Sequence, residues 1–236
     1  MTLKIHAFPA SPRAFKVLAV ANHLGLAYDL VFCDLSKGAQ KTPEFTALNL
    51  NQRMPVIEED GWTLWESNAI VQYLATRKWD AGLLPRDERA RADVTRWLFW
   101  DSAHWDQACA ILVFQNFVKG FFGGGPADPV EVEKGITLFN RAASVLDQHL
   151  KDREFVCGEA LTVADFAIGA PLSWRSRRSS RWRRTRKSAA GTRVSPRFRH
   201  GPRPKPWAGC RRRRRPALHA PFDKLRVKGL LNDPSS

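Results

Sequence analysis

Two periods of apolar residues divide the first half of the chain into short segments. Alternating apolar and polar positions predict four strands, and the last two flank an Asp-Gly pair that is typical of a hairpin turn. Apolar positions three and four apart predict three helices, two of which place a proline in their first turn. The predicted strands are 3–8, 28–32, 56–59 and 62–65, and the predicted helices start at Pro12, Pro43 and Glu66. This order favours a mixed four-stranded sheet with helices on its faces.

The second half of the chain follows the helical period almost throughout. Residues 87–122 form one long pattern, a Gly-Gly-Gly-Pro segment interrupts it, and residues 129–150 and 162–172 continue it. Residues 79–86 show no period and predict a linker. The expected architecture is α/β plus all-α: an α/β domain at 1–78, a linker at 79–86, and a helical domain at 87–172.

The composition changes abruptly near residue 173. Residues 173–236 contain 21 lysines and arginines against 2 acidic residues, whereas residues 1–172 contain 17 against 21. The net charge of +15 for the whole chain therefore describes neither part. A basic, arginine- and proline-rich tail fits an arm that binds nucleic acid or an acidic surface, and it equally fits a disordered extension.

Two motifs resemble the signatures of the glutathione transferase family. The first runs from Arg53-Met54-Pro55 through the Asp-Gly turn to Glu66-Ser67, and the second covers residues 158–165. The resemblance implies a thioredoxin-like N-terminal domain, a helical C-terminal domain, glutathione as co-substrate and a homodimer. The segment that ends in Ser11 is similar to the serine-type classes, namely phi, theta and related bacterial forms.

The resemblance implies that Ser11 is catalytic. Ser11 stands where the first strand ends and the first helix begins. A hydroxyl there can donate to the sulfur of glutathione, and the helix N-terminus adds positive potential. A hydrogen bond to a charged group contributes about 1.5–3 kcal/mol, which lowers the thiol pKa by about one to two. The alternative is that Ser11 only caps the helix.

The same resemblance assigns a binding site for the glutathione backbone. It implies a cis peptide bond before Pro55 that exposes the backbone of Met54, whereas an ordinary trans proline would simply start a strand. Glu66 and Ser67 would meet the ammonium and carboxylate of the γ-glutamyl group at a helix N-terminus. The alternative is a helix start without a ligand.

Two basic residues complete the expected glutathione site. Lys41 matches a family position that meets the glycyl carboxylate, although an exposed surface lysine would look the same in the sequence. Arg53 stands where the serine-type classes often carry a different polar residue, and it could still reach a carboxylate.

The first helix of the helical domain carries an unusual number of aromatic residues. We expect Trp105, Phe114 and Phe117 to line a pocket for an apolar second substrate between the domains. Helical spacing alone favours a core position for any one of them.

Thr162 and Asp165 have the spacing of a capping box at the start of a helix. Its expected role is in folding and not in catalysis.

Cysteine spacing and hydropathy give expectations about metal sites, cellular compartment and membrane segments. The four cysteines show no metal-ligand spacing, so we expect no metal and a reduced, cytoplasmic compartment. No run approaches the ~18 apolar residues that span a bilayer, and from the pattern of residues 1–8 we expect no signal peptide there.

A third interpretation of the tail is a shift of the reading frame near Ser173. Back-translation of residues 174–201 in another frame, with permitted codon choices, yields Y-P-E-I-R-R-W and later L-P-A-W. These motifs resemble the usual end of a glutathione transferase. The frame-shifted tail would carry no information about partners, so nucleic acid is not expected as one. The leading hypothesis is a glutathione transferase that acts on apolar electrophiles, and the alternative is an inactive or non-catalytic protein of the same fold.

Overall fold

Four strands form one mixed sheet, as the alternating pattern predicts. A computed structural model of the chain describes residues 2–173, so the predictions for the basic tail lie outside the described residues. The strands are β1 (Leu3–Ala7), β2 (Tyr28–Phe32), β3 (Val56–Glu59) and β4 (Trp62–Trp65). They lie in the order β2-β1-β3-β4, with β1 parallel to β2 and the other pairs antiparallel.

Helices cover both faces of this sheet. They are α1 (Pro12–His23), α2 (Pro43–Leu48) and α3 (Ser67–Thr76). α1 and α3 pack against each other, and their apolar sides join the main core through fully buried residues such as Val17 and Ile70. α2 contributes Phe45 to a smaller cluster with Met54 and Val56. The thioredoxin-like order of elements is therefore confirmed.

A helical domain follows, and its first helix is less regular than its sequence period predicts. The pattern at 87–122 becomes α4 (Glu88–Trp100), α5 (Asp106–Val113) and α6 (Lys119–Phe121), joined by π-helical turns at Asp101–Trp105 and Phe114–Val118. α7 (Pro129–His149) and α8 (Val163–Gly169) complete the described part. A π turn takes up one extra residue without ending the helix, so the apolar pattern continues beyond it, shifted by one residue.

The short helix α8 is central to the packing. It lies against α1, α3 and α4, and its Asp165 is buried. The carboxylate of Asp165 accepts hydrogen bonds from the backbone N–H groups of Thr162 and Val156, each at 2.8 Å. The predicted capping box is thus confirmed.

The segment at 79–86, which shows no period, also contributes to the core. Leu83 and Leu84 are buried, and the carbonyl of Leu83 accepts a hydrogen bond from Val163 at 2.9 Å. Within residues 2–173, no helix is both long enough and apolar enough to cross a bilayer.

Candidate active site

Two cavities meet beside the junction of β1 and α1. The larger, called the apolar cavity, has a volume of about 800 Å³ and is lined mainly by residues of α5, α6 and the second π turn. The smaller, called the polar cavity, has a volume of about 230 Å³ and lies between the loop before β3, the start of α3 and the first π turn. Arg13 and Asp106 line both cavities.

Ser11 lines the apolar cavity at the N-cap position of α1. Its backbone N–H donates to the carbonyl of Phe8, and its carbonyl accepts from the N–H of Phe15, both at 2.8 Å. Its side chain makes no capping hydrogen bond to the described part of the chain. Because the backbone alone holds this residue in place, the hydroxyl is available to a ligand. The interpretation of Ser11 as only a side-chain cap is not supported.

The polar cavity brings together most residues that the sequence predicts for glutathione. Arg53, Met54, Pro55, Glu66 and Ser67 all line it. The peptide bond between Met54 and Pro55 is cis, which confirms that prediction. Residues that are separated in sequence by a complete hairpin are therefore neighbours at one small opening.

Glu66 holds an unusual backbone conformation at the start of α3. Its φ is 71°, in the left-handed region, and its side chain makes no capping hydrogen bond within the described residues. Such a conformation costs a non-glycine residue about 1–3 kcal/mol and is concentrated at functional sites. The first N–H groups of a helix have no partner within the helix, so an anion can bind them here.

Lys41 is not brought to either cavity. It lies exposed at the end of the 3₁₀ helix Ala39–Lys41 and lines neither opening. Its contact with a glycyl carboxylate stays a prediction.

The apolar cavity contains two of the three aromatic residues predicted for it. Phe114 and Phe117 line its wall on the second π turn. The expectation for Trp105 is wrong in its placement, because this side chain is fully buried in the core. Its indole N–H donates to the carbonyl of Ile168 at 2.9 Å, and its ring stacks on Phe139 with 5.2 Å between centroids. This hydrogen bond and the stacking on Phe139 hold the side chain of Trp105 in the core, away from the cavity.

A buried ion pair lies at the wall of the polar cavity. The ammonium of Lys16 lies 2.8 Å from Oδ2 of Asp101 and 2.8 Å from Oδ1 of Asn68. The side chains of Lys16 and Asp101 are only 2% and 1% exposed. Burial raises the pKa of Asp101 above its ordinary value, and the charge of Lys16 opposes this effect. Asn68, next to Ser67, also donates to the carbonyl of Leu98 at 2.8 Å. The network of Lys16, Asp101 and Asn68 therefore connects α1, α3 and α4.

Four charged residues that line these cavities were not predicted from the sequence. They are Arg13, Lys16, Asp101 and Asp106. The position of Arg13, two residues after Ser11, was the one available signal. The aspartates come from the helical domain, and nothing in a single sequence pairs residues 85 or 93 positions apart. No cluster of three or more possible metal ligands lies within residues 2–173.

Comparison with known proteins identifies the family. Residues 1–76 match the family described as glutathione S-transferase, N-terminal domain. The chain is 35% identical over 165 residues to glutathione S-transferase 3 of Zea mays, an alignment covering 69% of this chain and 73% of that protein. The chain belongs to the glutathione S-transferase family. As a member of this transferase family, it is an enzyme.

Further relatives of this glutathione S-transferase come from animals and plants. Glutathione S-transferase D7 of Drosophila melanogaster is 31% identical over 173 residues, covering 72% of this chain and 74% of that protein. The solved structure of a delta-class glutathione transferase from Nilaparvata lugens has a TM-score of 0.62 at 31% identity, covering 80% and 89% of the two chains. Poplar glutathione transferase F1, at 23% identity and a TM-score of 0.69 over 77% and 85%, shows the same fold.

Proposed function

We propose that this chain is a serine-type glutathione transferase, related to the phi and theta classes, that conjugates glutathione to apolar electrophiles. The observation that carries the proposal is the free hydroxyl of Ser11 at the edge of the apolar cavity. The glutathione transferases that it resembles support glutathione as the co-substrate.

In this proposal the polar cavity holds the peptide part of glutathione. The backbone of Met54 pairs with the peptide, while Glu66 binds the ammonium and Ser67 the carboxylate of the γ-glutamyl group. The unusual φ of Glu66 and the open first turn of α3 support this assignment. Arg53 lines the same cavity and supplies a positive charge for the second carboxylate.

The thiol then lies beside Ser11. Its unperturbed pKa is about 8.5, so little thiolate exists at neutral pH. The thiol releases its proton to solvent, and the hydroxyl of Ser11 keeps its own proton and donates a hydrogen bond that stabilises the resulting thiolate. The thiolate attacks the electrophilic carbon, a C–S bond forms, and the leaving group departs with its bonding electrons. Phe114 and Phe117 provide the apolar wall against which an aromatic electrophile packs.

The test is the Ser11→Ala variant with an aryl halide as electrophile. We expect kcat/KM at pH 6.5 to fall about 10- to 100-fold, because the hydrogen bond to the thiolate is worth about 1.5–3 kcal/mol. The pH profile should shift upward, because the thiol pKa rises by about one to two. Ser144→Ala, at an exposed serine of α7, is the matched control and should change neither quantity. Full activity of Ser11→Ala would refute the role of Ser11.

A second candidate is an inactive or non-catalytic protein of the same fold. The observation that favours it is the abrupt change of composition at residue 173. We propose that the chain from there is out of frame, so that the helical domain at 87–172 is incomplete and the basic tail binds no specific partner. The nucleotide sequence of the gene tests this proposal. One base inserted or deleted near codon 173 should restore Y-P-E-I-R-R-W. A nucleotide sequence in which no such one-base change restores this motif would refute the proposal.

We also propose a homodimer in the cytoplasm, as the family resemblance implies. Strand β4 at the edge of the sheet exposes Trp62 and Trp65 by 47% and 41%, which supports a protein contact there. Light scattering of the purified chain should give twice the monomer mass of 26.7 kDa. A monomer at micromolar concentration would contradict this assembly.

A further inference from the structure

Arg13 and Asp106 form an ion pair at the boundary of the two cavities. Arg13 lies in the first turn of α1, two residues after Ser11, and Asp106 is the first residue of α5. Among the described residues that line the apolar cavity, these two alone carry charge. The wall is otherwise formed mainly by aromatic and aliphatic side chains, so this pair is the one charged partner that the described wall offers to a charged group of a substrate.

The pair uses only part of its hydrogen-bonding capacity. Nε and Nη2 of Arg13 both donate to the same atom, Oδ2 of Asp106, at 2.9 and 2.5 Å. Nη1 of Arg13 has no hydrogen-bond partner within the described residues. The side chain of Arg13 is 41% exposed, whereas that of Asp106 is 13% exposed. Asp106 therefore fixes one edge of the guanidinium and leaves the other edge open.

We propose that the open edge of Arg13 binds an oxyanion group of the electrophile, such as a carboxylate or a sulfonate. The inference rests on the proposed function, because it names the class of second substrate for the same cavity. A guanidinium presents donors in a plane that matches a carboxylate, and its hydrogen bonds are stronger in apolar surroundings. The preferred electrophile is thus an aromatic acid, with its ring against the phenylalanines and its acidic group at Arg13.

Asp106 acts as a positioning residue in this arrangement. It neutralises the charge of Arg13 and holds its orientation, so the cavity does not attract anions by a general positive field. Recognition then depends on directed hydrogen bonds, which are stronger to the two oxygens of a carboxylate than to the oxygens of its neutral ester. Exposed arginines elsewhere, such as Arg96 on α4, lie outside both cavities and cannot supply this discrimination.

Two fluorescent probes test the inference without requiring turnover. Anilinonaphthalene sulfonate carries an anionic group, and N-phenyl-1-naphthylamine has nearly the same rings without it. Arg13→Gln in the full chain should weaken binding of the sulfonate about 10-fold or more and leave binding of the neutral probe within about twofold. Arg96→Gln, the matched control, should change neither. Equal weakening of the sulfonate in both variants would overturn the inference.

If Arg13→Gln also loses the neutral probe, the cavity itself is disturbed. Arg13→Lys then decides, because it keeps an ion pair with Asp106 but lacks the second edge of donors. It should weaken only the sulfonate, by about threefold or more. Unchanged binding of the sulfonate to this variant would overturn the inference.

Kinetics with 4-chloro-3,5-dinitrobenzoate and its methyl ester extend the test to the reaction. The wild-type chain should prefer the acid relative to the ratio of their uncatalysed rates, and Arg13→Gln should reduce this preference about 10-fold. If the chain conjugates the ester but the ratio is the same in both proteins, the inference fails and the proposed function stands. If neither compound reacts but the probes still discriminate, the proposed function fails and the anion site stands.

Discussion

Breaking the buried pair of Lys16 and Asp101 should strongly destabilise the chain. In Lys16→Met, the carboxylate of Asp101 would keep a hydrogen bond from Asn68 at 3.0 Å but lose its counter-ion. Its Oδ1 already has no hydrogen-bond partner among the described residues. Removal of one member of a buried ion pair costs about 3–5 kcal/mol, because the remaining charge is left uncompensated. The network joins three helices, so the loss should affect global unfolding.

Equilibrium unfolding in urea, followed by tryptophan fluorescence, measures this effect. With a slope of about 2 kcal/mol/M, the midpoint of Lys16→Met should fall by about 2 M. Lys37→Met removes a partner from the exposed pair with Asp34, where Lys37 is 82% exposed, and should cost less than about 1 kcal/mol. The double variant Lys16→Met/Asp101→Leu should recover at least half of the loss, since it leaves no buried charge.

The pH dependence of the Lys16→Met variant provides a second check. Burial already raises the pKa of Asp101, and loss of the ammonium removes the attraction that opposes this rise. A carboxyl whose pKa is higher in the folded state than in the unfolded state favours folding at low pH. That contribution is lost as pH increases through the folded-state pKa. The variant should therefore be closest to wild type near pH 4. A loss below about 1 kcal/mol at pH 7 would refute the reasoning.

Two further predictions concern α8 and the cysteines. Asp165→Ala should lower the free energy of unfolding by about 1–3 kcal/mol, because two buried N–H groups lose their acceptor. An unchanged melting curve, with exposed Asp147→Ala as control, would contradict this. Burial raises the pKa of Cys157 to about 12, and burial together with nearby carboxylates also raises the pKa of Cys109 above its ordinary value. Iodoacetamide at pH 8, with the labelled sites identified by peptide mapping, should therefore label neither thiol in the folded protein, whereas both should react in urea. Rapid labelling of Cys109 or Cys157 in the native chain would disprove the burial.

The sequence was sufficient for elements whose pattern is local. Alternation and the Asp60-Gly61 turn predict β3 and β4 with the observed bounds, and the spacing of Thr162 and Asp165 predicts the capping box. The prediction that Trp105 lines the pocket was wrong, because a helical period does not distinguish an aromatic residue that faces the core from one that faces a cavity. The pair of Arg13 and Asp106 could not be predicted, since it forms only when two domains meet.

The two π-helical turns are places where this chain can vary in length. Each takes up one residue more than a turn of α-helix, so deletion of one residue from Asp101–Trp105 would restore a regular α-helix and leave the residues after it in nearly the same orientation. Phe114 and Phe117 would then stay at the wall of the apolar cavity. No π turn interrupts α7 (Pro129–His149), so the same deletion there would rotate one end of the helix by about 100° relative to the other. Among homologues, single-residue gaps should therefore gather at residues 101–105, 114–118 and 122–128 and be excluded from the interior of α7.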